Sequence, residues 1–270
     1  MQPKISFVVV THNRPVELVT QRIIKSIYMQ DYPRIELILI GESNETIDQL
    51  IINIEKKFKF EDFKWKNVPR PEGEKEMCIR ALVARCRNKG ILLASGEYIS
   101  CQDDDNELKP DFASSLLECI QKKNADTAWC YREMKFPDGS PYMGDYVPWF
   151  QKDHTIHQII YRMWKKAGVI IPGHNTVRDE LCARCDTQIF STVDANEWLV
   201  KADIFRQFPF KEKFSYEDLC SDVAFDDLWN IAIRNSSVKA VCSERVSLIY
   251  YLGGMSNTIP KTSSLSGDKK

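Results

Sequence analysis

The chain carries almost no net charge: 37 basic against 38 acidic residues give −1 over 270 positions. Without a basic excess there is no general electrostatic pull toward nucleic acid or an anionic membrane, and no nucleic-acid partner is expected. No apolar run approaches the roughly 20 residues of a membrane span. No basic-then-apolar N-terminal stretch marks an export signal. The nine cysteines are odd in number and mostly scattered, several of them inside apolar segments. That is the usage of reduced thiols, so a cytoplasmic location is expected rather than a disulfide framework. Cys182-Ala-Arg-Cys185 alone has metal-like spacing, and no second pair stands near it to complete a zinc site. Two nucleotide-binding signatures are missing as well. No GxGxxG follows the first apolar segment, and no GxxxxGK with Ser or Thr occurs at a strand exit. Those absences count against a dinucleotide dehydrogenase and a P-loop NTPase.

What is present is a full-sized core, 43% hydrophobic, in a pattern of alternating strands and helices. Residues 5–10 form a near-continuous β-branched and aromatic run, the mark of a strand covered on both faces. Thr11-His12-Asn13-Arg14 ends it, and Pro15 suits a first helical turn. Val16, Val19, Ile23, Ile24 and Ile27 recur at helical spacing. A second buried strand over 35–40 exits through 41–45 into a helix over 46–58. Helices are further expected over 81–94, 112–122, 156–167 and 219–234, with strands over 98–101, 127–135 and 197–200. Strand, helix, strand, helix with short connections predicts an α/β fold with a mostly parallel central sheet flanked by helices. One domain over 1–258 is expected, in halves of 1–110 and 111–258, with a loose polar tail over 259–270.

Gln102-Asp103-Asp104-Asp105-Asn106 is the densest chemical signal. Three successive carboxylates at a strand end repel one another and need a counter-charge. Extended-chain alternation puts Asp103 and Asp105 on one face and Asp104 on the other. Two carboxylates on one face suit a divalent cation that keeps positions open for phosphate oxygens. Alone, such a run is better explained as a solvated turn. In a parallel sheet, however, ligands bind beyond the carboxyl ends of the strands, so loops 11–14, 41–45 and 102–106 should converge.

These segments together resemble the family 2 glycosyltransferases, which adopt the GT-A fold. The resemblance rests on Ser6-Phe-Val-Val-Val-Thr-His-Asn-Arg14, Gln30-Asp-Tyr-Pro33, Arg87-Asn-Lys-Gly90, Ala94-Ser-Gly-Glu-Tyr-Ile99 and the acidic run with Pro110, in order and at matching intervals. It implies a nucleotide-sugar donor, usually a uridine diphosphate sugar, bound with Mn²⁺ or Mg²⁺, and a glycan or glycolipid acceptor. It places Thr11, Asn13 and Arg14 against the nucleoside, with Glu42 where the family commonly has an aspartate meeting the base. It places Asp103 toward ribose and metal, Asp104 beside them, and Asp105 on the metal. Arg80 could reach the base or a phosphate, while Arg87 and Asn88 look structural in this pattern.

Inverting transfer needs a carboxylate to take the acceptor's proton. The family places it at the start of a late helix, within 215–227 here. Ser215 could cap that helix, with Glu217 and Asp218 in its first turn. Asp218, in an intact Glu-Asp pair, is the favoured base; Asp222, four residues on, is the alternative; Asp226 and Asp227 read as surface charges. Trp149, Trp164, Trp198, His154, His157 and His174 are candidates to grip an acceptor, Trp198 beside Glu197 above the rest. Tyr161-Arg-Met-Trp-Lys-Lys166 mixes basic and aromatic residues, as a peripheral membrane contact would, though a solvated helix face does so too. Gly253-Gly254-Met255-Ser256 suits a mobile loop or a tight turn. The rival readings are a sugar-phosphate nucleotidyltransferase, which would want a glycine-rich loop after the first strand, and a silent nucleotide-sugar-binding module.

Overall fold

A computed structural model describes residues 2–70, 79–145, 147–149, 154–221 and 223–254. Asp222, Met255, Ser256 and the tail over 259–270 lie outside the described residues. Strand β1 (Ile5–Thr11) is buried at every position, as its unbroken apolar run requires. Its side chains alternate between two layers. Ile5, Phe7 and Val9 face one hydrophobic cluster, and Val8 and Val10 face another. Strand β2 (Ile35–Glu42) and edge strand β3 (Asp62–Val68) run parallel outward from β1 on one side. Strand β4 (Tyr98–Asp103) lies parallel to β1 on the other. The chain therefore reverses its direction of growth between β1 and β4, which opens a crevice at their carboxyl ends.

Beyond β4 the same sheet continues through β10 (Trp198–Lys201), β6 (Thr127–Lys135), β11 (Ala240–Tyr251) and β5 (Glu107–Leu108), with β7 (Thr176–Val177) pairing to β6. Strand β10 is antiparallel to both its neighbours, so the sheet is mixed in this half. A hairpin of β8 (Ala183–Cys185) and β9 (Gln188–Phe190) stands apart.

Helices cover both faces. On one side lie α1 (Val16–Val19), a π-helical turn (Thr20–Ile24) and α2 (Lys25–Tyr28), three consecutive segments that run without a gap, together with α3 (Ile47–Lys57) and α5 (Phe112–Lys123). On the other lie α4 (Ile79–Leu93), α7 (Ala202–Gln207) and α9 (Phe225–Arg234). Helices α6 (His154–Lys166) and α8 (Tyr216–Cys220) complete the set among the described residues.

The expected helix over 219–234 is two helices. Ala224 is extended at φ −90°, ψ 168°, and its N–H donates to the Asp227 carboxylate, which opens α9 as a new N-terminus. A strand not expected from the sequence, β3, has only partial burial, so its Phe63 and Trp65 alternate with lysines and give a weak apolar signal.

Buried Glu36 of β2 ties the opposite end of the sheet together. It accepts from Ser6 Oγ (2.5 Å), Ser95 N (2.8 Å) and Ser95 Oγ (2.9 Å) and pairs with Lys64 Nζ (2.6 Å). Burial opposes the charge, but these four partners hold its carboxyl below the ordinary range.

Helix α4 reaches the sheet closely because Gly90 has no side chain. A Cβ there would stand 2.2 Å from Val8 Cγ1 and 3.2 Å from Ile40 Cγ1. Gly→Ala inside a helix ordinarily gains about 1 kcal/mol. Here overpacking reverses the sign, and Gly90→Ala should lose about 1–3 kcal/mol. Chemical denaturation checks this; a variant as stable as wild type would show that α4 can move off the sheet without cost.

Candidate active site

The three strand-exit loops meet. Val10 pairs in register with Asp103, and Thr11 with Gly41, so the ends of β1, β2 and β4 lie side by side. Asn13, at φ +46°, takes the left-handed conformation that asparagine tolerates. Its Oδ1 accepts from Glu45 N at 2.8 Å, which fastens loop 11–14 to loop 41–45.

Arginine supplies the counter-charge that the acidic run needs. Arg14 Nε donates to Asp104 Oδ1 at 2.9 Å, and its NH2 donates to Asp105 Oδ2 at 2.5 Å. Arg87 NH2 donates to Asp103 Oδ1 at 2.5 Å. The strict alternation expected for 103–105 does not hold, because β4 ends at Asp103 and the next two residues turn. Asp104 is buried against Arg14 rather than pointing idly away.

Burial raises the Asp104 carboxyl above its ordinary value, with Arg14 and the Thr11 hydroxyl opposing. Burial together with repulsion from Asp103 raises Asp105 further, to about 7, again against Arg14. Burial disfavours the charge on Arg14, but Asp105 and Asp104 outweigh it and hold the guanidinium protonated. Arg22, carried on the π-helical turn, steadies the turn from below. It donates to Asp105 O (3.3 Å) and Pro137 O (3.1 Å) and lies 3.8 Å over the Tyr251 ring.

Arg87 was expected to be structural, and the structure puts it in the site. It is fully buried, with its guanidinium 4.8 Å from the Phe225 ring. Nothing in the sequence separates it from its neighbour Asn88, which does serve structure by bonding both Phe210 N and Phe210 O. Glu42 lies at the site, but its carboxylate is already gripped. Arg70 holds it through two bonds, at 3.0 and 3.2 Å, and His12 Nδ1 stands 2.8 Å from Oε2. Arg80 crosses to the entrance of α9 and donates to Val223 O at 3.0 Å.

The late carboxylates separate sharply. Asp218 is a helix cap: its Oδ2 accepts from Ser215 N at 2.7 Å, while its own N–H donates to Ser215 Oγ at 3.1 Å. Lys211 Nζ at 2.7 Å, with that cap, holds its carboxyl down at about 2, which makes it a weak base. Helix α8 ends at Cys220, two residues before Asp222, which lies outside the described residues.

Asp226, expected as a surface charge, is half-buried in the first turn of α9. Burial, Asp227 and Asp194 raise its carboxyl well above the ordinary range, and Arg87 opposes them.

Trp198 lines no cleft. It sits in the core at 5.2 Å from both the Trp129 and Trp229 rings, because β10 is an interior strand covered on both faces. Glu197 is equally buried, beside Arg132. His157 is buried and His174 exposed. Trp149 packs on Trp164 and Tyr250, with its Nε1 donating to Tyr250 Oη at 3.1 Å. Trp164 of α6 therefore turns inward, and Arg162, Lys165 and Lys166 lie outside.

Residues 6–185 match the profile described as Glycosyl transferase family 2. The chain belongs to that family. A relative from Campylobacter jejuni, GalNAc(5)-diNAcBac-PP-undecaprenol beta-1,3-glucosyltransferase, is 32% identical over 121 residues, which are 43% of this chain and 34% of that protein. Among solved structures, residues 1–349 of S. aureus TarS in complex with UDP superpose with a TM-score of 0.56 at 15% identity, over 92% of this chain and 60% of that one. The mannosyltransferase PcManGT from Pyrobaculum calidifontis, in complex with GDP-Man and Mn²⁺, superposes at 0.53 and 14% identity, over 97% of this chain and 59% of that one. The fold of this family 2 member is GT-A, as the resemblance implied. The chain spans about a third to three-fifths of the length of these proteins.

The raised Asp105 carboxyl sets a pH dependence. It titrates at about 7 when folded and near 3.9 when unfolded. Between those values the native state binds more protons, so stability falls as pH rises through the window. Asp105→Asn removes that loss. Without divalent cations, its stability relative to wild type should climb by roughly 1–2 kcal/mol between about pH 5 and about pH 8. Thermal melts across that range check it; a constant difference would show that Asp105 titrates normally.

Proposed function

We propose that this chain moves a sugar from a nucleoside-diphosphate donor, a uridine diphosphate sugar, to a hydroxyl of a glycan or glycolipid acceptor by single displacement with inversion. The observation that carries this reading is the meeting of three strand-exit loops around Asp103, Asp104 and Asp105 at the switch point of the sheet. Membership of family 2 supports it, and so do the UDP, GDP-Man and undecaprenol-linked substrates named for the similar proteins.

A divalent cation, Mn²⁺ or Mg²⁺, fits the donor set. Asp105 and Asp103 offer hard carboxylate oxygens, and the repulsion between them is what a cation relieves. Among the described residues no three His, Cys, Asp or Glu side chains gather as a metal cluster, so phosphate oxygens and water would complete the shell. When bound, the cation would neutralise charge on the departing diphosphate. Arg14 would hold Asp105 and Asp104 in place, and Thr11, Asn13 and the Glu42–Arg70 pair would line the nucleoside end. Arg80 would stand at the edge nearest α9.

The base is a carboxylate at the entrance of α9. Asp226 fits that role because it is half-buried in the first turn of α9, next to the Phe225 that covers Arg87, and because burial and its acidic neighbours favour its protonated form. Asp218, held at about 2 and committed to capping, does not. The membrane-facing alternative for α6 is kept in this reading as a route to a glycolipid acceptor, through Arg162, Lys165 and Lys166.

The test is sugar transfer or donor hydrolysis over a panel of nucleotide-sugars with Mn²⁺ or Mg²⁺. Asp105→Ala should abolish turnover. Asp226→Asn should lose about 10²–10⁴-fold in rate while Asp218→Asn stays near wild type. Loss with Asp222→Asn and not Asp226→Asn would move the base four residues earlier in the chain and leave the reaction intact. No turnover or binding of any sugar nucleotide would overturn the proposal.

A further inference from the structure

Asp103 is held from a second side by a residue that neither the family pattern nor the acidic run points to. Asn196 lies in a short 3-10 turn (Ala195–Glu197) between the β8–β9 hairpin and β10. It is buried at 1% exposure. Its Oδ1 accepts from the Asp103 backbone N–H at 2.5 Å. Its Nδ2 donates to Asp103 Oδ2 at 2.8 Å and to Asp194 Oδ1 at 2.5 Å. The amide orientation is thereby determined: flipped, its oxygen would face two carboxylates and its nitrogen an N–H. Its backbone is fixed as well, since Asn196 O accepts from Gln102 Nε2 at 2.9 Å and Asn196 N donates to Asp194 Oδ1 at 2.9 Å.

The turn that carries Asn196 is anchored on a buried cation. Arg132 of β6 pairs with Asp179 (3.0 Å), Asp194 (3.2 Å) and Glu197 (3.5 Å), all at 0–17% side-chain exposure. Its guanidinium lies 4.6 Å from the Trp149 ring and 5.4 Å from Tyr250. Glu197 Oε2 accepts from Asp194 N at 2.8 Å and closes the turn. Arg132, Asp194, Asn196 and Asp103 thus form one continuous polar chain from the acceptor half into the crevice.

We propose that Asn196 is a positioning residue that sets the carboxylate orientation of Asp103 toward the donor's cation. The inference rests on the donor-site reading above. Arg87 takes Oδ1 of Asp103 and Asn196 takes Oδ2, so the carboxylate plane is fixed by two bonds and its remaining lone pairs are turned to the crevice. Partners of this kind typically alter metal affinity by about 10–100-fold when removed.

Calorimetric titration of the full chain with UDP, alone and with Mn²⁺, tests it in wild type, Asn196→Ala and Asn196→Ser. Both variants should bind UDP about 10–100-fold more weakly than wild type when Mn²⁺ is present. Without Mn²⁺ they should match wild type to within about twofold, because no direct contact with UDP is removed. A general packing defect would weaken both arms alike and would overturn the proposal. So would variants that keep the full Mn²⁺-dependent gain, or variants that fail to fold at all, which would make Asn196 a folding requirement. Wild type with no Mn²⁺-dependent gain removes the donor-site reading itself; a gain present in wild type and kept in the variants removes only the role of Asn196.

Discussion

Charge balance at the end of β4 is the constraint on which the rest of the site depends. Three consecutive carboxylates are packed together there, and burial penalises the ionised forms of Asp104 and Asp105. Two arginines from different parts of the chain make that tolerable: Arg14, from the exit of β1, and Arg87, from the helix that precedes β4. Each arginine is itself confined. Arg14 can reach both Asp104 and Asp105 only because β1 and β4 are neighbours in register. Arg87 can be fully buried only because Asp103 faces it and the Phe225 ring covers its plane. Removing either arginine would leave buried carboxylate without its partner, which is costlier than losing the pair whole.

The same logic explains why the second half of the chain matters to a site built from the first. Helix α9 brings Phe225 against Arg87, and the turn over 195–197 brings Asn196 against Asp103. Those segments join the crevice because β10 inserts antiparallel between β4 and β6 within one sheet. Arg132 then carries the connection deeper, among three carboxylates and two aromatic rings. Burial and Asp179 push the Glu197 carboxyl well above its ordinary value, with Arg132 opposing them.

How much of this the sequence disclosed follows from what each signal depends on. Strands buried on both faces, such as 5–10 and 35–40, announce themselves as mostly apolar runs, and amphipathic helices such as 47–57 by their spacing. The convergence of three loops followed from strand order alone. The exposed edge strand β3 did not show, because its lysines dilute the pattern. Nor did the break between α8 and α9, since Asp222 to Ala224 hold no proline or glycine and the apolar residues continue at helical intervals. Pairings across long separations were the least legible. Arg87 with Asp103, and Asn196 with Asp103, depend on three-dimensional neighbours 16 and 93 positions apart. Only the choice between capping and free carboxylates had a local clue, in Ser215 three residues before Asp218.

The site's charge also constrains what can enter it. Asp103, Asp104 and Asp105 outnumber Arg14 and Arg87, so the end of β4 carries more acidic than basic side chains. A diphosphate brought into that field alone would be repelled, and the repulsion would be stronger in the partly buried setting than in water. A cation beside it would strengthen the binding of an anion here. In the proposed function the acidic run would do two things at once: disfavour bare phosphate, and strengthen nucleotide binding when a divalent ion is present. The raised carboxyl of Asp105 is the visible cost of holding that arrangement ready without one. It is tolerated because sheet register, two arginines and a buried amide leave the carboxylates no other way to turn.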